Sequence, residues 1–161
     1  MDIELKHDFA APADRLWTLL LDPHAMANCV PGMQSVEVVS DTEYVARMKV
    51  KIAFISASFT IRTVITEQTS PDYLRCESTG EDSAVGSSVK SINEMFLIPD
   101  ANGGTSLRVK SKATVFGRLG TLGLNPMRTK ADRLWVEFCA AVEKALEDAG
   151  SGQETQRQSI A

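Results

Sequence analysis

The first pattern along the chain is alternation. In residues 3–9, Ile3, Leu5, His7 and Phe9 share one parity, and Glu4, Lys6 and Asp8 the other. A period of two predicts a half-buried strand. Ala11-Pro12 follows, and proline suits the first turn of a helix, where the N–H it lacks would have no partner. ADRLWTLLLD reads as a short amphipathic helix. Asp22-Pro23 ends it and starts another, because aspartate caps a helix and proline fits the next first turn. The second helix, in HAMANCV, is predicted to last one or two turns before Pro31-Gly32 closes it.

From Gln34 to Val115 strand follows strand. VEVV is the first. EYVARMKVKI sets Tyr44, Ala46, Met48, Val50 and Ile52 against Arg47, Lys49 and Lys51. FTIRTVIT sets Phe59, Ile61, Thr63 and Ile65 against Thr60, Arg62 and Val64. Ser70-Pro71-Asp72 turns the chain into a strand from Tyr73 to Gly80. Another runs from Ser87 to Ile98, ended by Pro99 and an Asp-Ala-Asn-Gly-Gly turn. SLRVKSKATV sets Leu107, Val109, Ser111, Ala113 and Val115 against Arg108, Lys110 and Lys112. Short turns between such strands predict an antiparallel meander with one packed and one wet face.

The period then changes. From about Leu119 to Ala149 the apolar residues, Leu134, Trp135, Phe138 and Val142 among them, recur at helical spacing. A helix of ~30 residues is ~45 Å long, and its apolar stripe must be buried against the sheet. The expectation is an α+β helix-grip fold over residues 1–149: a strand, two short helices, a curved antiparallel sheet and one long helix. Residues 150–161 are polar and lack aromatics, which predicts a disordered tail.

A strongly curved sheet and a straight helix cannot touch everywhere. Several inward positions, among them Ala46, Thr63, Ser78, Ser91 and Ser111, carry small or polar side chains. They predict an apolar cavity with a few polar anchors, as ligand pockets have. By parity the strands would line it with His7, Phe9, Met48, Phe59 and Ile61. Cys76, Asn93, Met95 and Val109 would extend that wall, and the helix would add Met127, Leu134 and Phe138. Of these, His7 and Asn93 can hydrogen-bond a ligand head group. The plainer reading of His7 is a buried histidine satisfied by a protein partner. A one-residue slip of register would turn Asn93 outward. The methionines suit an adaptable pocket and equally an ordinary core.

Gly117, Gly120 and Gly123 are three apart, so in a helix they would share one face. Glycine weakens a helix by ~1 kcal/mol per position against alanine. Leu119, Leu122 and Leu124 would then form a mobile apolar lip flanked by Arg118, Arg128 and Lys130, gating the cavity and touching anionic membrane. A packed helix start is the alternative. No phosphate loop is present.

Composition narrows the classes. The chain has 161 residues, 43% of them hydrophobic, which suits one globular domain. A net charge of −4 argues against a nucleic-acid partner. No apolar run approaches the ~18 residues of a membrane span, and the charged, alternating opening is not expected to be a signal peptide. Cys29, Cys76 and Cys139 are widely spaced, so neither disulfides nor a metal site is expected, and a cytoplasmic location is. The basic rows Arg47, Lys49, Lys51 and Arg108, Lys110, Lys112 fit a solvated outer face interleaved with Glu67, Glu77 and Glu94.

Several stretches together resemble a known family. They are Phe9, Ala11-Pro12, Leu16-Trp17, Leu20-Leu21-Asp22-Pro23 and Val30-Pro31-Gly32, then Tyr44 to Lys51, Ser78-Thr79-Gly80, Gly104-Thr105 to Val109 and Gly117 to Gly123. Over about 5–149 the chain resembles the carbon monoxide dehydrogenase G-subunit (CoxG) family. That family lies within the START-like polyketide-cyclase, lipid-transfer and pollen-allergen superfamily of helix-grip proteins. One departure is Ala53-Phe54, where the family usually has Gly-Pro. The resemblance implies an accessory protein serving a molybdenum hydroxylase of the carbon monoxide dehydrogenase type, including its membrane association. It also implies an apolar cargo such as an isoprenoid quinone or lipid, with peripheral contact at the inner face of the cell membrane and no cofactor of its own.

Catalysis is not expected. The two histidines, His7 and His24, have no nucleophile near them in sequence. A thiol at Cys76 in apolar surroundings is inert, and no inward pair of carboxylates is visible. Two alternatives stay open: a small cyclase- or hydrolase-type enzyme using His7 as its acid–base group, and a pure protein adaptor with a filled core.

Overall fold

The structure, a computed structural model, describes the backbone of residues 1–82 and 84–160 and the side chains of 1–82 and 84–148. The disordered tail expected at 150–161 lies outside the fully described residues.

The chain runs β1 (Asp2–Phe9), α1 (Ala13–Leu20), α2 (Pro23–Cys29), β2 (Met33–Ser40), β3 (Glu43–Ile52) and β4 (Ile55–Thr69). It continues through β5 (Tyr73–Asp82), β6 (Ser87–Pro99) and β7 (Thr105–Gly117), a 3-10 turn at Leu119–Leu122, and α3 (Leu124–Ile160). The strands form one antiparallel sheet in the order β1-β7-β6-β5-β4-β3-β2. Six of the seven are a sequential meander, since adjacent strands joined by short turns pair with the least loss of chain entropy. β1 crosses to the far edge, and α1 and α2 bridge the gap to β2. Pro12 is the cap of α1, and Asp22 caps α2 by accepting from the N–H groups of His24 and Ala25 at 3.0 and 3.3 Å.

The alternation read from the sequence is the alternation of the sheet. Tyr44 lies opposite Thr63, Thr63 opposite Ser78, Ser78 opposite Ser91 and Ser91 opposite Ala113. One row along, Cys76, Asn93, Ser111 and Ile3 are neighbours on the same face. The basic residues Arg47, Lys49, Arg108, Lys110 and Lys112 are exposed on the other face, and Lys51 is exposed at the end of β3 beside its turn.

Two apolar clusters hold the layers together. The larger joins Phe9, Leu16, Trp17, Leu20, Leu107 and Val142, binding α1 and α3 to β1 and β7. The smaller joins Ile55, Ala57, Phe59 and Leu119 at the opposite end of the strands. Each large apolar side chain fully buried here contributes roughly 1.5–3 kcal/mol of transfer free energy. Polar ties supplement them. The Thr105 hydroxyl donates to the Ala11 carbonyl at 2.7 Å, and Arg15 donates to the Leu146 carbonyl at 2.7 Å, pinning α1 to α3.

The expected helix from 119 begins instead at Leu124, and the three glycines do not share a helical face. Gly117 and Gly123 have φ of 79° and 84°, backbone that only glycine adopts without strain. A Cβ at Gly117 would also sit 1.9 Å from the Gly86 carbonyl oxygen. These residues break the chain between β7 and α3. The segment is folded in by Leu119, whose N–H donates to the Ser87 hydroxyl at 3.0 Å.

Candidate functional site

Between the two apolar clusters, the inward face of the sheet carries a polar band. Its members are side chains of adjacent strands brought opposite one another by register. Thr63 and Ser78 hydroxyls are 2.8 Å apart. The Ser111 hydroxyl donates to Asn93 Oδ1 at 2.7 Å, and Asn93 Nδ2 donates to the Ser91 hydroxyl at 3.1 Å, with Cys76 Sγ at 3.9 Å. The pairing therefore points Asn93 inward, as strand parity predicts.

Tyr44 stands at the end of this band on β3. Its phenol has no hydrogen-bond partner among the described residues, although burial pushes its pKa up to about 12, with Cys76 adding to the effect. The hydroxyl nonetheless keeps contact with solvent, since among the described residues the buried side-chain polar atom without a partner is the Ser106 hydroxyl, and the phenol is free to donate to a ligand. Cys76 is itself raised by burial, opposed by the Asn93 bond and by Arg75. At neutral pH it is a thiol, not a nucleophilic thiolate. The sequence reading does not single out Tyr44 as a lining residue. Its parity with Ala46 and Met48 is the available signal, but only the pairing shows that it faces Thr63.

The other expected lining residues divide. Met48, Ile61, Met95 and Val109 on the sheet, and Leu134 and Phe138 on α3, face the interior yet stay only partly buried. The helix does not fully cover them. Phe138 is tilted against Trp135, with ring centroids 5.7 Å apart. Phe9 and Phe59, by contrast, are core side chains and not pocket walls. Phe9 is 2% exposed among residues of α1, and Phe59 packs with Ile55, Ala57 and Leu119. Met127 is buried near the start of α3 beside Val115 and Gly120.

His7 is not buried, contrary to the plainer reading of its strand. Its side chain is about one-third exposed, and Nε2 lies 2.5 Å from Glu143 Oε1 on α3. Its ring also meets Phe9 edge-on at 4.7 Å. The histidine thus has a partner and bolts β1 to the long helix. His24 is exposed at the start of α2.

The expected leucine lip is corrected at its first residue. Leu119 is 1% exposed in the smaller cluster and Leu122 packs partly against it, because the glycine breaks fold this turn onto the sheet. Leu124 alone is exposed, at 53%. Among the described residues no cluster of three or more His, Cys, Asp or Glu side chains could hold a metal ion, and no helix is long and apolar enough to cross a membrane.

Comparison with known proteins places this geometry. The profile of the family described as the G subunit of carbon monoxide dehydrogenase (CoxG) matches residues 6–147. No curated protein matches the sequence. Among solved structures, a conserved protein from Geobacillus kaustophilus superposes with a TM-score of 0.86 at 19% identity, over 92% of this chain and 97% of that one. A START superfamily protein from Mycobacterium smegmatis gives 0.69 at 16% identity, over 92% and 98%. The Zhui aromatase/cyclase from Streptomyces sp. R1128 gives 0.65 at 21% identity, over 91% and 93%. At these identities the likeness is one of fold: the chain has the START-like helix-grip architecture.

Proposed function

The chain belongs to the carbon monoxide dehydrogenase G-subunit (CoxG) family, and from that premise we propose that it is a non-catalytic accessory protein carrying an apolar ligand between its sheet and its long helix. The observation that supports this reading most directly is the polar band held between two apolar clusters. It offers a free phenol donor at Tyr44 and bonded acceptors and donors at Asn93, Ser91 and Ser111. A long apolar molecule with carbonyl or hydroxyl groups at one end meets that arrangement: its body lies on Met48, Ile61, Met95 and Leu134, and its oxygens accept from Tyr44. An isoprenoid quinone or a lipid has this chemistry. The partner we infer is a molybdenum hydroxylase of the carbon monoxide dehydrogenase type, with contact to the membrane that is peripheral.

Native mass spectrometry of the purified chain, followed by organic extraction, tests the proposal. A stoichiometric quinone or lipid, or uptake of added menaquinone by an empty chain, supports it. An empty chain that also refuses added quinone and lipid rejects it.

A cyclase-type enzyme is the second reading, favoured by the pairing of His7 with Glu143 at the rim of the fold. In that reading the carboxylate would orient the imidazole as an acid–base group. Turnover of a polyketide-like substrate that disappears in His7→Ala, in a chain that still folds, would favour it over the carrier.

A further inference from the structure

A second feature lies apart from the polar band. Between the β3–β4 turn and the first turns of α3 is a cleft of about 400 Å³, lined by Lys51, Ile52, Asn125, Thr129, Lys130 and Arg133, with Ala53 at its edge. Three of these side chains are cations. None of the three takes part in an ion pair among the described residues, where the pairs are His7–Glu143, Arg62–Glu43 and Arg75–Glu77. No carboxylate lines the cleft among the described residues. The chain as a whole carries a net charge of −4, so this concentration of positive charge runs against its average.

Like charges gathered in one concave place repel, and low-dielectric walls strengthen the field they project into the cleft. An anion that enters collects all three interactions at once. Arginine offers a planar fork of donors matched to phosphate or carboxylate oxygens, and lysine a compact point charge. Asn125 adds an amide that can donate to a further oxygen. The Thr129 hydroxyl is already committed to the Asn125 carbonyl at 3.0 Å, so the cations dominate the site. The charge of three cations suits a phosphate better than a single carboxylate.

We propose that Lys51, Lys130 and Arg133 form an anion site that takes a phosphate group, separate from the apolar ligand's place on the polar band. Two sources share that chemistry: a soluble phosphomonoester and the headgroup of an anionic lipid. The rim bears on the choice. Phe54 follows Ala53 and is 74% exposed, and Leu124 precedes Asn125 and is 53% exposed. Both would meet acyl chains if the phosphate belonged to a bilayer, and neither would matter for a soluble ligand.

The test uses the full chain and two probes. Glycerol 3-phosphate is titrated calorimetrically, and vesicles of phosphatidylglycerol or of phosphatidylcholine alone are used in flotation. Wild type is compared with Lys130→Glu, Arg133→Glu and the outer-face control Lys112→Glu, each checked for folding by circular dichroism. Where charge reversal perturbs the helix, Lys130→Gln and Arg133→Gln replace those variants. The expected result is binding of at least one phosphate probe, weakened about tenfold or more by either cleft variant and unchanged by Lys112→Glu. Raising salt should weaken it as well. Phosphatidylglycerol flotation that falls further in Phe54→Ser, without glycerol 3-phosphate binding, assigns the lipid source. Calorimetric binding indifferent to Phe54→Ser assigns the soluble one. The proposal is overturned if neither probe binds, or if the cleft variants and Lys112→Glu behave alike. Quinone uptake is measured on the same variants and should be unchanged, so the failure of one site is read separately from the failure of the other.

Discussion

His7 Nε2 and Glu143 Oε1 lie 2.5 Å apart, joining the first strand to the last helix across 136 positions of chain. Both side chains are partly exposed, so the bond closes the fold at its rim and not at its centre. An exposed pair of this kind is worth about 0.2–1 kcal/mol. His7→Ala is expected to lower stability to urea by about 1 kcal/mol, the lost edge contact with Phe9 included. Uptake of apolar ligand should survive. Loss of uptake in a folded His7→Ala chain would place the imidazole in the ligand site instead.

Tyr44→Phe separates binding from folding. The phenol has no protein partner among the described residues, so its removal breaks no bond of the empty chain and should leave the melting temperature unchanged or slightly higher. A ligand carbonyl that accepts from it loses one hydrogen bond, worth about 1 kcal/mol net. Affinity for a quinone should fall roughly five- to tenfold, read by fluorescence quenching titration. Equal affinity in both proteins would remove Tyr44 from the site.

Asp82 sets an acid limb of stability. Its carboxylate accepts from the Ser58 N–H at 2.5 Å, and from Ala84 and Val85 at 2.8 and 3.3 Å. Those bonds, Ser58 first, hold its pKa below the ordinary carboxylate value against the opposing effect of burial. A depressed folded pKa means that the contribution is complete above the unfolded value near ~3.9 and is lost as pH falls through the folded one. Melting temperatures measured from neutral pH down to about pH 2.5 should therefore fall in wild type at the acid end. Asp82→Asn should be less stable at neutral pH, with a shallower acid decline. Parallel curves for the two proteins would exclude this role.

Ala53 sits at φ 54° in the tight turn between β3 and β4. A Cβ in the left-handed region costs roughly 1–2 kcal/mol, partly offset because glycine gains freedom in the unfolded chain. Ala53→Gly is expected to raise stability by about 0.5 kcal/mol, and Ala53→Val to lower it by more than about 1 kcal/mol because branching worsens the clash. Denaturant midpoints check both. The position is one where the resemblance to the family anticipates Gly-Pro, and the backbone shows why glycine suits it.

Much of this protein is legible in one dimension. The period of two from Tyr44 to Ile52 and from Leu107 to Val115 specifies which side chains face the helix, because a pleated strand alternates its faces. Asp22-Pro23 marks a helix start through a cap that acts within a few residues. The stretch from Leu134 to Leu146 announces the long helix by its own periodicity. Local rules suffice where the partner of a residue is a few positions away.

The rest depends on distance in space. Leu119 reads as a lip and is core, because Gly117 and Gly123 turn the chain back onto Phe59, far earlier in the sequence. His7 reads as an interior histidine and is a rim residue, since Glu143 is the partner that only folding supplies. The polar band exists because the registers of successive hairpins add, so that Tyr44, Thr63, Ser78 and Ser91 fall in one row. The gathering of Lys51 with Lys130 and Arg133 is of the same kind. Periodicity states which face a side chain takes. Which other side chains share that face across the molecule is decided by strand register and helix docking, and these are properties of the packed chain.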